Sequence, residues 1–332
     1  EGLLGYASLD SKGNVADIYP VMISRKLHKT TPLDRLPERL RPAEERHQLS
    51  PAERVFGWVS QKPRDPKGPA EVRAHRSQVR VRQVRCESTD AIDRKPITLS
   101  ILGQPKPSLG RFYLGDQNGQ AQNRATKDST GYAPPRRIRG PKIYPHHAAG
   151  VNHLEAFTTE RSKQNRTILG SVKPGVVFEC DIDVCNLSPE EVGAILWLLR
   201  LPAGHYLRLG YGKPLGFGSV RAEVVAAGTC LAMGVEWARA IAAGAMPAVN
   251  EKTSDWLENF TAAANSAKPG LLDSFLASAK GFPGHPVHYP RVVSQRPGAS
   301  EHFQWFQANE NAANQYPLPD LQGPGDPSLP IL

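Results

Sequence analysis

Apolar positions in this chain repeat with two different periods, separated by stretches that hold almost none. From Val79 to Arg85 (VRVRQVR) valine alternates with arginine, the period of a strand with one face turned inward. Val79 and Val81 are expected on the core side and Arg80 and Arg82 together on the outer side. Val176 to Cys185 (VVFECDIDVC) alternates again: Phe178, Cys180, Ile182 and Val184 face one way, Glu179, Asp181 and Asp183 the other. Ser188-Pro189-Glu190-Glu191 then reads as a helix start, with Ser188 as N-cap and Glu191 completing a capping box. Val192, Ile195, Leu196, Leu198 and Leu199 form the apolar stripe of that helix. Gly204 lies past its end, and a strand is expected from Ser219 to Val225. The order strand, helix, loop, strand is half of a ferredoxin-like (RRM-like) α+β unit. A second helix start, Ser50-Pro51-Ala52-Glu53, precedes the apolar anchors Phe56, Trp58 and Val59. Gly2 to Tyr6 enter a first strand.

After Gly228 the pattern changes to alanine-rich helical repeats over roughly 233–243, 254–265 and 270–280, broken by Gly and Pro. Trp256 and Phe260, four apart on one face, are expected in a core. Four stretches lack either period. Residues 30–54 read as an exposed connector and Lys62–Pro69 (KPRDPKGP) as a loop. Residues 103–142 read as a mobile, extended insertion, and the segment from Gly281 as an extended C-terminal arm. The expected organisation is a core domain over 1–228 carrying the insertion, a small helical segment over 229–285, and an extended tail over 286–332.

Charge changes this picture. A formal charge of +9 and a pI near 9.4 suit a partner with a phosphate backbone, although net charge alone fits a merely basic protein equally well. The insertion interleaves Arg111, Arg124, Lys127, Arg136, Arg137, Arg139 and Lys142 with Phe112, Tyr113, Tyr132 and Tyr144. Cations that hold phosphates beside rings that stack bases compose a single-strand binding surface; a disordered basic loop is the competing reading. Arg80 and Arg82 form a phosphate track or a solvated strand face. Four scattered cysteines do not suggest a disulfide framework. No apolar run is long enough to span a bilayer and no signal peptide is apparent, so the cytoplasm is expected.

The densest chemistry lies in Tyr206–Val220 (YLRLGYGKPLGFGSV), where Gly210, Gly212, Gly216 and Gly218 surround Lys213, Tyr211 and Phe217. Glycine at that density serves a left-handed backbone or the close approach of another molecule. A Walker A loop requires Gly where Leu207 stands and Ser or Thr where Pro214 stands; a dinucleotide fingerprint requires Gly at Leu215. Both are excluded. The wording GYGKPLGFGSV resembles the glycine-rich loop of the RAMP superfamily, RNA-binding proteins of CRISPR effector complexes. LSPAERVFGWV (Leu49 to Val59) resembles the Leu-Ser-Pro-Ala-Asp-Arg-hydrophobic-Phe-Gly block of a type III RAMP subgroup. RGPKIYPHH (Arg139 to His147) resembles that subgroup's Arg-Gly-x-Lys-aromatic-Tyr-x-His-His segment. The matches occur in the same order over more than half the chain.

The resemblance implies a ferredoxin-like core, guide RNA and target single-stranded RNA as partners, and assembly with other RAMP modules or subunits of a type III effector. Contacts are expected from the loop (Arg208, Gly210, Tyr211, Gly212, Lys213, Gly216, Phe217, Gly218), from Arg80 and Arg82, and from Arg137, Arg139, Lys142, Tyr144, His146 and His147. The usual RAMP opening of strand, Ser/Gly-rich loop and basic helix is not found, which suggests the C-terminal part of a longer protein. The family's cleaving aspartate would lie in that opening; Asp10, Asp17 and Asp34 are the nearest carboxylates and none sits in a matched motif. His146 and His147 as strand neighbours face opposite ways, as do Cys180 and Cys185, which argues against metal sites; the His pair contacts RNA or closes the sheet. Asp181 and Asp183 share a face and either bind a cation or are an ordinary charged face. No catalytic residue, metal or cofactor is assigned. The alternatives are a metal-dependent endoribonuclease and a purely structural assembly subunit.

Overall fold

The computed structural model describes residues 5–10, 12–19, 30–63, 68, 72–103, 109–124, 131–147, 163–280, 289–290, 292, 301–311 and 313–320. Lys127, Gly2 and most of Lys62–Pro69 lie outside them. The chain gathers into two compact units. One draws on Glu1–Arg41, Gly103–Lys142 and Phe306–Asp320; the other on Pro42–Leu102, Ile143–Trp305 and Leu321–Leu332. The composition change at 228 is not a boundary between them. Helices and strands are mixed, α+β, and among the described residues every sheet has two strands.

In the larger unit, helix α1 (Pro51–Phe56) begins with the expected capping box: Glu53 N donates to Ser50 Oγ at 3.3 Å and Ser50 N to Glu53 Oε2 at 2.8 Å. Gly57, at φ 94°, ends it; a Cβ there would lie 2.9 Å from Ser77 N, so glycine permits the turn into Trp58–Val59, which pairs with Ala74–His75. Trp58 is buried, its indole N–H donating to Ala43 O at 2.8 Å.

Val79–Val81 pairs antiparallel with Ile182–Val184, and an isolated Arg85–Glu179 bridge prolongs the ribbon. Both strands are shorter than their alternation suggests. Their apolar face is not the expected core: Val81 is 59% exposed, and Phe178 and Cys180 are also exposed.

The main core lies elsewhere. Helix α2 (Pro189–Leu199) carries a second capping box at Ser188 and Glu191. Its Val192 and Leu196 are buried with Trp256 of α4 (Thr253–Ala267), which follows α3 (Gly234–Ala242). Gly193 sets the closeness of that packing, since a Cβ there would fall 2.0 Å from Trp256 O. Trp197 meets Phe260 of α4 at 5.9 Å and Phe275 of α5 (Leu271–Lys280) at 5.3 Å between ring centroids. The helical segment after 228 is thus the packing partner of α2, because the apolar stripe of α2 needs a ridge to cover it. The last hairpin of this unit pairs Leu207–Arg208 with Ser219–Val220, a shorter strand than the expected run to Val225.

In the smaller unit the described residues of the insertion form packed structure rather than an extended strand. Leu109, Phe112, Leu114 and Tyr132 are buried, and Leu114–Gly115 pairs with Arg137–Ile138. Phe112 and Tyr132, expected to stack on bases, are core residues. Arg111 is 1% exposed; it donates through Nη2 to Glu310 Oε1 at 2.5 Å and Asn309 O at 3.2 Å, and through Nε to Tyr316 O at 3.3 Å. Its charge is therefore spent inside the fold. The tail is not simply an extended arm either: α6 (Glu301–Ala308) lies in it. Beyond α6, Asn309 is fully buried, donating to Tyr316 O at 3.0 Å and accepting from Tyr316 N at 2.7 Å. Asp10 and Asp34 are turn formers here. Asn14 and Lys12 amides hold the Asp10 carboxyl below the usual range, and the Thr31 amide and hydroxyl do the same for Asp34.

Candidate nucleic-acid interface

The glycine-rich segment is the tip of the Leu207–Val220 hairpin. All four of its glycines are left-handed, at φ 85° (Gly210), 71° (Gly212), 89° (Gly216) and 77° (Gly218), a region costly to residues with a Cβ. They serve different ends. Gly218 and Gly212 are required by neighbours: a Cβ on Gly218 would lie 2.0 Å from Leu209 O, and one on Gly212 2.9 Å from the Phe217 ring. Gly210 has nothing within 4 Å of its Cβ position, so the main chain there is bare to solvent.

Between Gly212 and Gly216 the chain makes a 3-10 turn, Lys213–Leu215, closed by Leu215 N to Gly212 O at 2.9 Å. Leu215 is buried and anchors the tip from below. Tyr211 stands 98% exposed at the crest and Leu209 is exposed beside it. An exposed ring next to uncovered backbone, with a lysine two residues on, can stack a base and approach a phosphate. Phe217 differs from that expectation, because its ring supports Gly212.

Arg208 also points inward. Its Nε donates to Tyr144 O at 2.5 Å and its Nη2 to Ser278 O at 2.7 Å, tying the hairpin to α5. His146 completes the clamp. Tyr206 O can only accept, so the ring carries its proton on Nε2 and donates there at 3.1 Å, while Nδ1 accepts from Ser219 Oγ at 2.6 Å. The buried His146 bridges the two sides of the hairpin stem, which is the sheet-closing role and leaves neither ring nitrogen facing RNA. Tyr206 and Ser219 hold the stem through His146 and Leu215 holds the tip; in the sequence an isolated leucine among four glycines is the one sign of this.

Burial, and then the Arg208 charge, push the His146 pKa down from 6.5 to about 4, against the pull of Tyr206 O. The folded pKa lies below the unfolded one. Stability from the neutral ring is therefore complete above pH 6.5 and declines as pH falls toward about 4, by an amount on the order of 2–3 kcal/mol. Urea unfolding at about pH 7 and about pH 4.5 should show this loss, and His146→Gln should narrow the gap between the two midpoints. An unchanged gap would assign the acid sensitivity to other groups.

Arg80 and Arg82 lie on the outer face of the ribbon, but that face is not a bare cationic track. Arg80 stands directly opposite Asp183; Arg82 Nε donates to both oxygens of Asp183, at 3.0 and 2.8 Å, and Arg85 lies 3.6 Å from Asp181. The two alternations cancel in charge, so a phosphate must compete with carboxylates there. Asp183 and Asp181 are instead engaged by Arg82 and Arg85, and among the described residues no three His, Cys, Asp or Glu side chains gather as a metal-binding group.

Arg137 and Lys142 of the smaller unit are exposed, whereas Arg139 is largely buried and donates to Asp320 Oδ1 at 2.6 Å. Tyr144 and His147 of the larger unit are half-buried. Within the larger unit the geometry brings Tyr144, His146 and Arg208 together as the hairpin's base, with Tyr211 and Lys213 at its tip. Among the described residues no helix is long and apolar enough to cross a membrane. No protein-family model matches the chain, and no curated protein matches it.

Proposed function

We propose that this chain is an RNA-binding RAMP module of a type III CRISPR effector, holding guide RNA or the guide–target duplex in antiviral defence. In this reading it is a ferredoxin-like relative that does not itself cleave and works in the cytoplasm beside other RAMP modules or subunits. The observation that carries the reading is the hairpin tip: open backbone at Gly210, a fully exposed Tyr211 ring, and Lys213 at the start of the turn. The three motif resemblances, the loop above all, add the RNA partner. Tyr211 takes a base on its face and Lys213 a phosphate, while Arg208 and His146 act by holding the stem. Sequence discrimination falls to base pairing, as in other RNA-guided systems.

The test is a filter-binding titration of single-stranded RNA against the Tyr211→Ala, Lys213→Ala double variant at several salt concentrations. Affinity should fall about tenfold or more through loss of one stacked base, and the salt slope should drop by about one phosphate's worth. Affinity and slope equal to those of the unaltered chain would remove the loop from the interface.

A further inference from the structure

The Leu49–Val59 motif finds no role in the hairpin. It lies in the larger unit beside two recesses that adjoin at His75. One, about 530 Å³, is an apolar shelf walled by Phe56, Trp58, Val59 and Ala74 with Arg76 at its margin. The other, about 480 Å³, is polar and lined by Arg46, Arg54, Gln78 and Asn186.

Phe56, the last residue of α1, is 66% exposed although Val55 beside it is buried. Gly57 ends the helix directly after it, at a left-handed φ of 94°. Among the described residues lining the polar recess one is a carboxylate, Glu191, and that group is already engaged. Arg54 Nε donates to its Oε1 at 2.8 Å and Ser188 N to its Oε2 at 2.8 Å, leaving it 10% exposed. Nearby, Glu53 is held by Ser50 and Glu45 faces His47. Arg46 and the outward side of Arg54 remain to face an anion, and His75, which meets Arg54 O at 3.0 Å, stands between ring and cations.

From this juxtaposition we infer a second nucleotide site, in which a base lies on Phe56 and Val59 and the attached phosphate enters the Arg46–Arg54 recess. An aromatic ring beside an arginine-lined pocket matches the two chemically distinct halves of a nucleotide. The nucleotide comes from an RNA strand or arrives free. The first source rests on the RNA-binding reading above; the site itself does not.

The experiment compares Phe56→Ala and Arg46→Ala with the unaltered chain, using a fluorescein-labelled single-stranded RNA dodecamer in polarisation titrations and AMP in equilibrium dialysis. Both residues are exposed, so the melting temperature should be unchanged and serves as the check on folding. With RNA, Phe56→Ala should weaken binding about tenfold, and Arg46→Ala should weaken it less while lowering the salt slope by about one. A loss confined to AMP also supports the site, with a free nucleotide as occupant. Both probes bound undiminished by both variants would overturn the inference. The hairpin variants separate the two readings: if Tyr211→Ala, Lys213→Ala binds RNA normally while Phe56→Ala does not, the loop proposal fails and this one stands.

Discussion

Gly193→Ala is expected to destabilise the protein by about 3 kcal/mol or more, at the upper end of what an added methyl costs in a packed core. The new Cβ would sit 2.0 Å from Trp256 O and 2.9 Å from Phe260 Cβ, and the backbone of α4 cannot yield as a flexible side chain would. α2 and α4 would have to separate, opening the Val192–Leu196–Trp256 core. Gly234→Ala is the control. It lies at the start of α3 with nothing within 4 Å of its Cβ position, so helix propensity should leave stability equal or slightly raised. Urea midpoints of the two variants decide the matter: similar values would mean that α2 and α4 do not meet at Gly193.

Gly218→Ala is expected to have the largest effect on RNA binding of any single methyl added to the hairpin. Two costs coincide there: a left-handed φ of 77° and a Cβ 2.0 Å from Leu209 O. The left-handed strain alone costs about 1–2 kcal/mol, and the clash forces Leu209 away from the pairing in which its N–H donates to Gly218 O at 2.9 Å. The tip then loses the geometry that presents Tyr211. RNA affinity should fall at least as far as in the Tyr211→Ala, Lys213→Ala variant, without removal of any side chain proposed to touch RNA. Gly210→Ala should do less, since its Cβ meets nothing. Equal affinities for both glycine variants would detach RNA binding from the shape of the stem.

Local signals in the sequence translated well into structure. Both Ser-Pro-x-Glu starts produced capped helices, because the hydrogen bonds that define them join residues three apart. The alanine-rich repeats became α3, α4 and α5 within a few residues of their expected ends. Relations between distant segments did not show. Arginine at 80 and 82 and aspartate at 181 and 183 give the same alternation whether they face water or each other, and only the register makes them neighbours. Arg111 looked like an exposed cation because its acceptors at Asn309, Glu310 and Tyr316 lie about two hundred residues further on. In the candidate site, glycine spacing located the tip correctly, but it could not sort Tyr211, which faces out, from Phe217, which is tucked under Gly212. Nor could it show that Arg208 and His146 are consumed by the stem.

The Arg111 anchor bears on how a minimal fragment should be sought. Any shortened version ending before residue 309 would strip a guanidinium in the protein interior of its carboxylate and both carbonyls at once, a penalty of several kcal/mol. The 103–142 region would then come apart for reasons unrelated to ligands. Progressive C-terminal deletion would score the missing tail as an RNA contact, so point substitutions at exposed positions are the sounder map.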